Sequence, residues 1–283
     1  MTKAESFIQR NAVLCFYVLA FAISWGGILL VVGPTGIPGR PDDFLTLLPM
    51  LLLAMLAGPT VSGIVMTALV SGASGLREMF SGLLKWRVPI RWWAAALLTA
   101  PLVMIVIPVL IALLVPGFMP AIFTAQERAS LVAMGIGAGL STLLEEIGWT
   151  GFAIPRLRLR HSVLKTGLIA GVLWAAWHLL VNFWSSGDAA GALSLSPLLL
   201  SLFFSWAILT SFRVLMVWVN EHTHSLLVAW LMHFTLTAGN VILGPTSPGG
   251  AVGPLWSLAI GLALWVIVAV LAKRGALEAG STK

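Results

Sequence analysis

LVAMGIGAGLSTLLEEIGWTGFAI, residues Leu131–Ile154, holds 24 residues and two charges, the adjacent Glu145 and Glu146. A membrane-crossing helix needs about 20 predominantly apolar residues, and this run supplies them. Seven further runs of this kind lie along the chain. They are Ala12–Val32, Phe44–Val70, Trp92–Val115, Val163–Phe183, Pro197–Val219, Ser225–Leu243 and Pro254–Ala272. The expected fold is all-α: a polytopic membrane protein of eight transmembrane helices. A transmembrane barrel would alternate apolar and polar residues instead.

Composition agrees. Of 283 residues, 59% are apolar and 9% charged, against roughly 25% charged in soluble domains. A soluble enzyme and a disordered chain are both excluded. A single cysteine, Cys15, excludes a disulfide framework and any multi-cysteine metal site. The net charge of +6 comes from short basic clusters between apolar runs, so no nucleic-acid partner is expected.

The breaks between runs are of four kinds. Gly33–Asp43 is a Gly/Pro turn region. Ser71–Arg91 reads as an amphipathic connection, Pro155–Lys165 is short and basic, and Gly244–Gly253 is uncharged. With the N-terminus inside, alternation places 14 of the 16 Lys and Arg on the cytoplasmic side, Arg213 among them. Only Arg40 and Arg128 fall outside. The positive-inside rule then puts both termini in the cytoplasm. The first apolar run is too long for a cleavable signal peptide. One integral membrane domain over 1–283 is expected, with a catalytic core at about 129–243. The 13 Trp read as interfacial anchors, for example Trp92 and Trp93. The pairs Gly135/Gly139 and Gly167/Gly171 read as close-packing positions.

Ionisable groups inside a span cost roughly 2.5–3.5 kcal/mol each and mark function. Here they are Glu145 and Glu146, His178 in the fifth run, and His233 in the seventh. At about 1.5 Å per residue, His178 lies ~22 Å into its run and His233 ~12 Å into its own. Glu145 lies ~14 Å from the cytoplasmic end of the fourth run. Two carboxylates and two imidazoles therefore meet near mid-depth. A buried carboxylate suits general-base work on water, and an imidazole suits orienting that water or donating to an oxyanion. The same set suits a divalent metal such as zinc with an open water position. Composition leaves metal and no metal equally open, and both imply amide hydrolysis. His161, His222 and His224 read as interfacial; Ser141 and Asn182 read as interhelical hydrogen-bonding residues.

The segment EEIGWTGFAIPRL, Glu145–Leu157, resembles the first motif of the CPBP family. That family comprises intramembrane CAAX-type prenyl endopeptidases and bacteriocin-processing or self-immunity proteins. Its second motif, an aromatic residue and then His four positions on, is matched by Trp174 and His178. Its third, His with a polar residue four on, is matched by His233 and Thr237. The resemblance runs from about Ser141 to Asn240. It implies a helical membrane fold with a cavity and an endopeptidase acting on a membrane-associated peptide, prenylated or bacteriocin-like. It also implies that Glu145 activates water with His178, while His233 and Thr237 hold the oxyanion. The expected catalytic set is Glu145, Glu146, His178 and His233; partners are membrane lipids and a peptide substrate, in the cell membrane of a prokaryote.

Two positions depart from the family pattern. The motif Arg is Thr150, which is i+4 from Glu146 and cannot form an ion pair with it. Glu146 is then either protonated or paired elsewhere, with Arg156 and Arg158 too distant. The third-motif polar residue is Thr237 rather than Asn. Its hydroxyl still offers one donor, and Asn240, one turn on, is a substitute. The departures motivate a second reading, a non-catalytic immunity or interaction protein of the same fold. A third reading is a proton- or metal-coupled transporter.

Overall fold

The computed structural model describes residues 3–33, 35–114, 120–244 and 252–278. Among them, eight helices are long and apolar enough to cross a membrane. They are built on α1 (Ala12–Val32), α2 (Pro41–Ser81), α3 (Ile90–Leu114), α4 (Arg128–Gly148), α5 (Val163–Trp177), α6 (Leu195–Thr223), α7 (Leu226–Leu243) and α8 (Val252–Lys273), the fourth span running on to Arg158 and the fifth to Trp184. Large apolar side chains face outward, with Leu30 87% and Val266 61% exposed. Lipid tails, not water, suit such a surface. Most of the uncharged break Gly244–Gly253 lies outside the described residues.

α2 outruns its expected span. It continues to Ser81 through a break at Gly72, whose φ of 62° and ψ of −159° suit glycine. Part of the connection Ser71–Arg91 is therefore helical. α6 runs four residues past Val219. Arg213, already within the expected run Pro197–Val219, sits inside α6 and is fully buried, which corrects its place among the cytoplasmic charges.

α1 packs on α2, α5 on α6, and α7 on both α4 and α3, while α2 also meets α4. Burial from water gives helices in lipid no drive to associate, so close backbone approach and hydrogen bonds carry the packing. Gly167 and Gly171 supply that approach. A Cβ on either would lie 2.5 Å from the Val214 Cα or 2.7 Å from the Thr210 Cα, both on α6. Gly135 and Gly139 face Ile242 and Phe234 of α7 in the same way. Asn182 Nδ2 donates to Ser205 Oγ at 3.3 Å. Ser141 Oγ donates within its own helix, to the Ala138 carbonyl at 2.8 Å.

The tryptophans depart from the interfacial expectation. Trp149, Trp174, Trp177 and Trp184 are fully buried. Trp92 is also buried, its ring stacked 4.4 Å from His222 and edge-on to Trp218 at 4.9 Å. These indole rings fill the interior, and Trp149, Trp174 and Trp177 lend their N–H groups to buried acceptors.

Candidate active site

Glu145 and Glu146 end a helix that α2 holds in place. Thr60 Oγ1 donates to the Leu144 carbonyl at 2.6 Å. A Cβ on Gly148 would lie 2.2 Å from the Pro59 carbonyl oxygen, so backbone meets backbone beside the glutamates. After Gly148 the helix widens into a π-turn over Trp149–Ala153 and then resumes as Ile154–Arg158. Pro155 has no N–H to donate back into this turn, which favours the irregularity. The turn keeps Trp149 and Thr150 against the two carboxylates. Trp149 Nε1 donates to Glu145 Oε2 at 3.4 Å. Thr150 Oγ1 donates to Glu146 Oε2.

His178 lies where α5 breaks, between Trp177 and a short helix Leu179–Trp184. Trp25 Nε1 donates to the Trp177 carbonyl at 3.0 Å, and Trp177 Nε1 donates to Ser24 Oγ at 2.8 Å. Both bonds tie the break to α1. The His178 Nδ1 lies 2.9 Å from the Trp174 carbonyl oxygen. A carbonyl only accepts, so Nδ1 carries the proton and Nε2 is the ring nitrogen left for other partners.

The two glutamates have different surroundings. Glu145 Oε2 accepts from Trp174 Nε1 at 2.8 Å, and the residue lines a 460 Å³ cavity. His178, His233, Thr237 and Asn240 line the same cavity, with Trp174 in its wall. Glu146 and Thr150 do not. Glu146 is fully buried behind the cavity. Its carboxylate accepts from Arg213 Nη1 at 3.0 Å on Oε1 and 2.9 Å on Oε2, and from His233 Nδ1 at 2.9 Å on Oε1. The missing motif Arg thus has a counterpart from α6. Of the two states left open for Glu146, the paired one is observed. With Nδ1–H bound to Glu146, His233 has Nε2 free; it donates when the ring is doubly protonated and accepts when it is neutral.

Arg213 and Trp149 are the polar partners that sequence reading misses. Arg213 stands in SWAILTSFRVLMVWV, Ser205–Val219, an otherwise uncharged apolar run. The cost argument that singles out the glutamates applies to it equally. Nothing in the sequence singles out Trp149 among 13 tryptophans. Among the described residues, no three His, Cys, Asp or Glu side chains form a group that could hold a metal ion. The Glu and two-His set does not fit such a cage, so no step below runs through a metal.

Residues 127–239 match the family model described as Rce1-like, type II CAAX prenyl endopeptidase. A relative is CAAX prenyl protease 2 of Methanococcus maripaludis, 26% identical over 108 residues. These matches support the CPBP/CAAX protease family. The relative's aligned stretch covers 38% of this chain and 39% of the relative, so the chain spans about two fifths of that protein's length. The family match contains Glu145, Glu146, His178, His233 and Thr237, and ends one residue before Asn240. The matching model carries a prenyl-endopeptidase description, not an immunity or transporter one.

Proposed function

We propose that the chain is an intramembrane endopeptidase that hydrolyses a peptide bond of a membrane-associated substrate with Glu145 as general base. The observation that carries this reading is that α4, α5 and α7 bring Glu145, His178 and His233 to one cavity.

In this mechanism a water in the cavity gives a proton to Glu145 while its oxygen bonds to the peptide carbonyl carbon. His178 Nε2 accepts from the water and orients it. The carbonyl becomes an oxyanion, to which Thr237, Asn240 and doubly protonated His233 donate. The C–N bond then breaks, and the proton held on Glu145 passes to the leaving amine. Glu146 touches none of the reacting atoms and acts as a positioning residue behind His233. Leu52, Met55, Ile208 and Leu209 give the cavity apolar walls, which suit a prenylated or bacteriocin-like peptide.

The protein is proposed to be one integral membrane domain with its catalytic core at about 129–243. It is placed in the cell membrane of a prokaryote, both termini cytoplasmic, with membrane lipids as partners. The test is cleavage of an internally quenched, farnesylated CAAX peptide and of a mixed peptide library by the purified chain in nanodiscs. Cleavage lost in Glu145→Gln and His178→Gln supports the reading. Cleavage unchanged in Glu145→Gln sinks it.

A further inference from the structure

Arg213 makes contacts to both halves of the site. Its Nη1 donates to both oxygens of Glu146, which in turn holds His233. Its Cζ lies 4.0 Å over the Trp174 ring, and that same indole donates to Glu145. One guanidinium therefore reaches Glu145 through Trp174 and His233 through Glu146. Its Nε and Nη2 have no hydrogen-bond partner among the described residues. A buried ion pair is weak evidence for a purely stabilising role, because two apolar side chains of similar volume in place of both Arg213 and Glu146 would often serve equally well.

We propose that Arg213 is the positioning residue that fixes Glu145 and His233 relative to one another, in place of a cation at position 150. The proposal rests on the endopeptidase reading and adds a residue outside the three motifs. Gly171 makes the placement feasible. A Cβ there would lie 3.2 Å from the Arg213 Cβ and 2.7 Å from the Thr210 Cα, so α6 comes close enough for a short reach to Glu146.

The experiment uses the full chain in nanodiscs, the farnesylated CAAX peptide as probe, and the variants Arg213→Met, Arg213→Lys and Thr150→Arg with Arg213→Met. Misplaced catalytic groups cost on the order of 100-fold. Arg213→Met is accordingly expected to lower kcat about 100-fold while KM stays within about threefold. Thr150→Arg returns a cation to the turn after Glu146 and is expected to recover about tenfold. A second readout does not need cleavage. In histidine-labelled protein, the nitrogen NMR signal of His233, assigned by its loss in His233→Gln, is expected to shift in Arg213→Met and to return in the double variant. The His222 signal is expected to stay.

Wild-type kcat in Arg213→Met, or an unmoved His233 signal, overturns the proposal. If wild type leaves every peptide intact, the endopeptidase reading fails and the NMR arm alone decides the positioning role. If Arg213→Met does not fold, Arg213→Lys carries the test. It is expected to fold with kcat about tenfold lower, and full kcat with an unmoved signal overturns the proposal there too.

Discussion

Trp174 and Glu145 are joined by a 2.8 Å hydrogen bond from the indole Nε1 to Oε2, across 29 residues of chain. Both indole donors, Trp149 and Trp174, reach Oε2 and neither reaches Oε1, and Glu145 lines the same cavity as His178. A hydrogen bond to a charged group contributes about 1.5–3 kcal/mol. Trp174→Phe keeps a ring beneath Arg213 and removes only the donor. The expected outcome is a kcat about 10–100-fold lower with the fold intact. Steady-state kinetics beside a thermal unfolding scan check this, and an unchanged kcat would count against Glu145 needing the indole.

Glu145→Gln retains shape and the indole bond but removes the base. General-base catalysis contributes roughly 10²–10⁴-fold, so kcat should fall by about that factor while substrate still binds. Peptide binding measured by fluorescence anisotropy should match wild type. Lost binding would assign Glu145 to substrate recognition instead.

Gly171→Val places side-chain atoms where the α6 backbone runs, since even a Cβ meets the Thr210 Cα at 2.7 Å. Overpacking of this kind costs about 1–3 kcal/mol. The expected result is a lower unfolding temperature together with reduced activity, because α6 carries Arg213. A variant of wild-type stability would show that α5 and α6 have room to separate.

Arg158 and Glu221 form a two-pronged pair, Nε to Oε2 at 2.8 Å and Nη2 to Oε1 at 2.7 Å. With Glu221 about a quarter exposed, screening limits its worth to about 1 kcal/mol or less. Glu221→Gln should lower stability by about that amount and leave cleavage intact. A loss of activity without a loss of stability would tie this pair to the site.

The proposed orientation has its own test. In a Cys15→Ala background, Arg40→Cys should react with a membrane-impermeant maleimide on intact cells. Arg160→Cys should react only after permeabilisation. The reverse pattern would invert the topology.

The eight spans were legible because lipid imposes length and apolarity on every crossing helix. The convergence of Glu145, His178 and His233 was legible too, because a charged or titratable group inside a span is conspicuous. Arg213 was misread for a physical reason: near the end of a run, a basic residue serves equally as a cytoplasmic anchor or a buried cation. Only the neighbouring helix distinguishes the two. The division of labour within the Glu145–Glu146 pair was also hidden. Adjacent residues on a helix point about 100° apart, so one lines the cavity and the other faces Arg213. The burial of Trp149, Trp174 and Trp177 was illegible because a tryptophan suits an interface and a core alike.

The π-turn at Trp149–Ala153 has a bearing on how such chains are compared. A widened turn accommodates one extra residue and resets the angular phase of everything after it. Counting residues from Glu146 to Arg156 as though the helix were uniform puts later side chains on the wrong face. A one-residue deletion within 149–153 should therefore close the widened turn to a regular α-turn and leave both Glu145 and the faces of Ile154–Arg158 in place, whereas the same deletion in a uniform helix would rotate everything after it by about 100°.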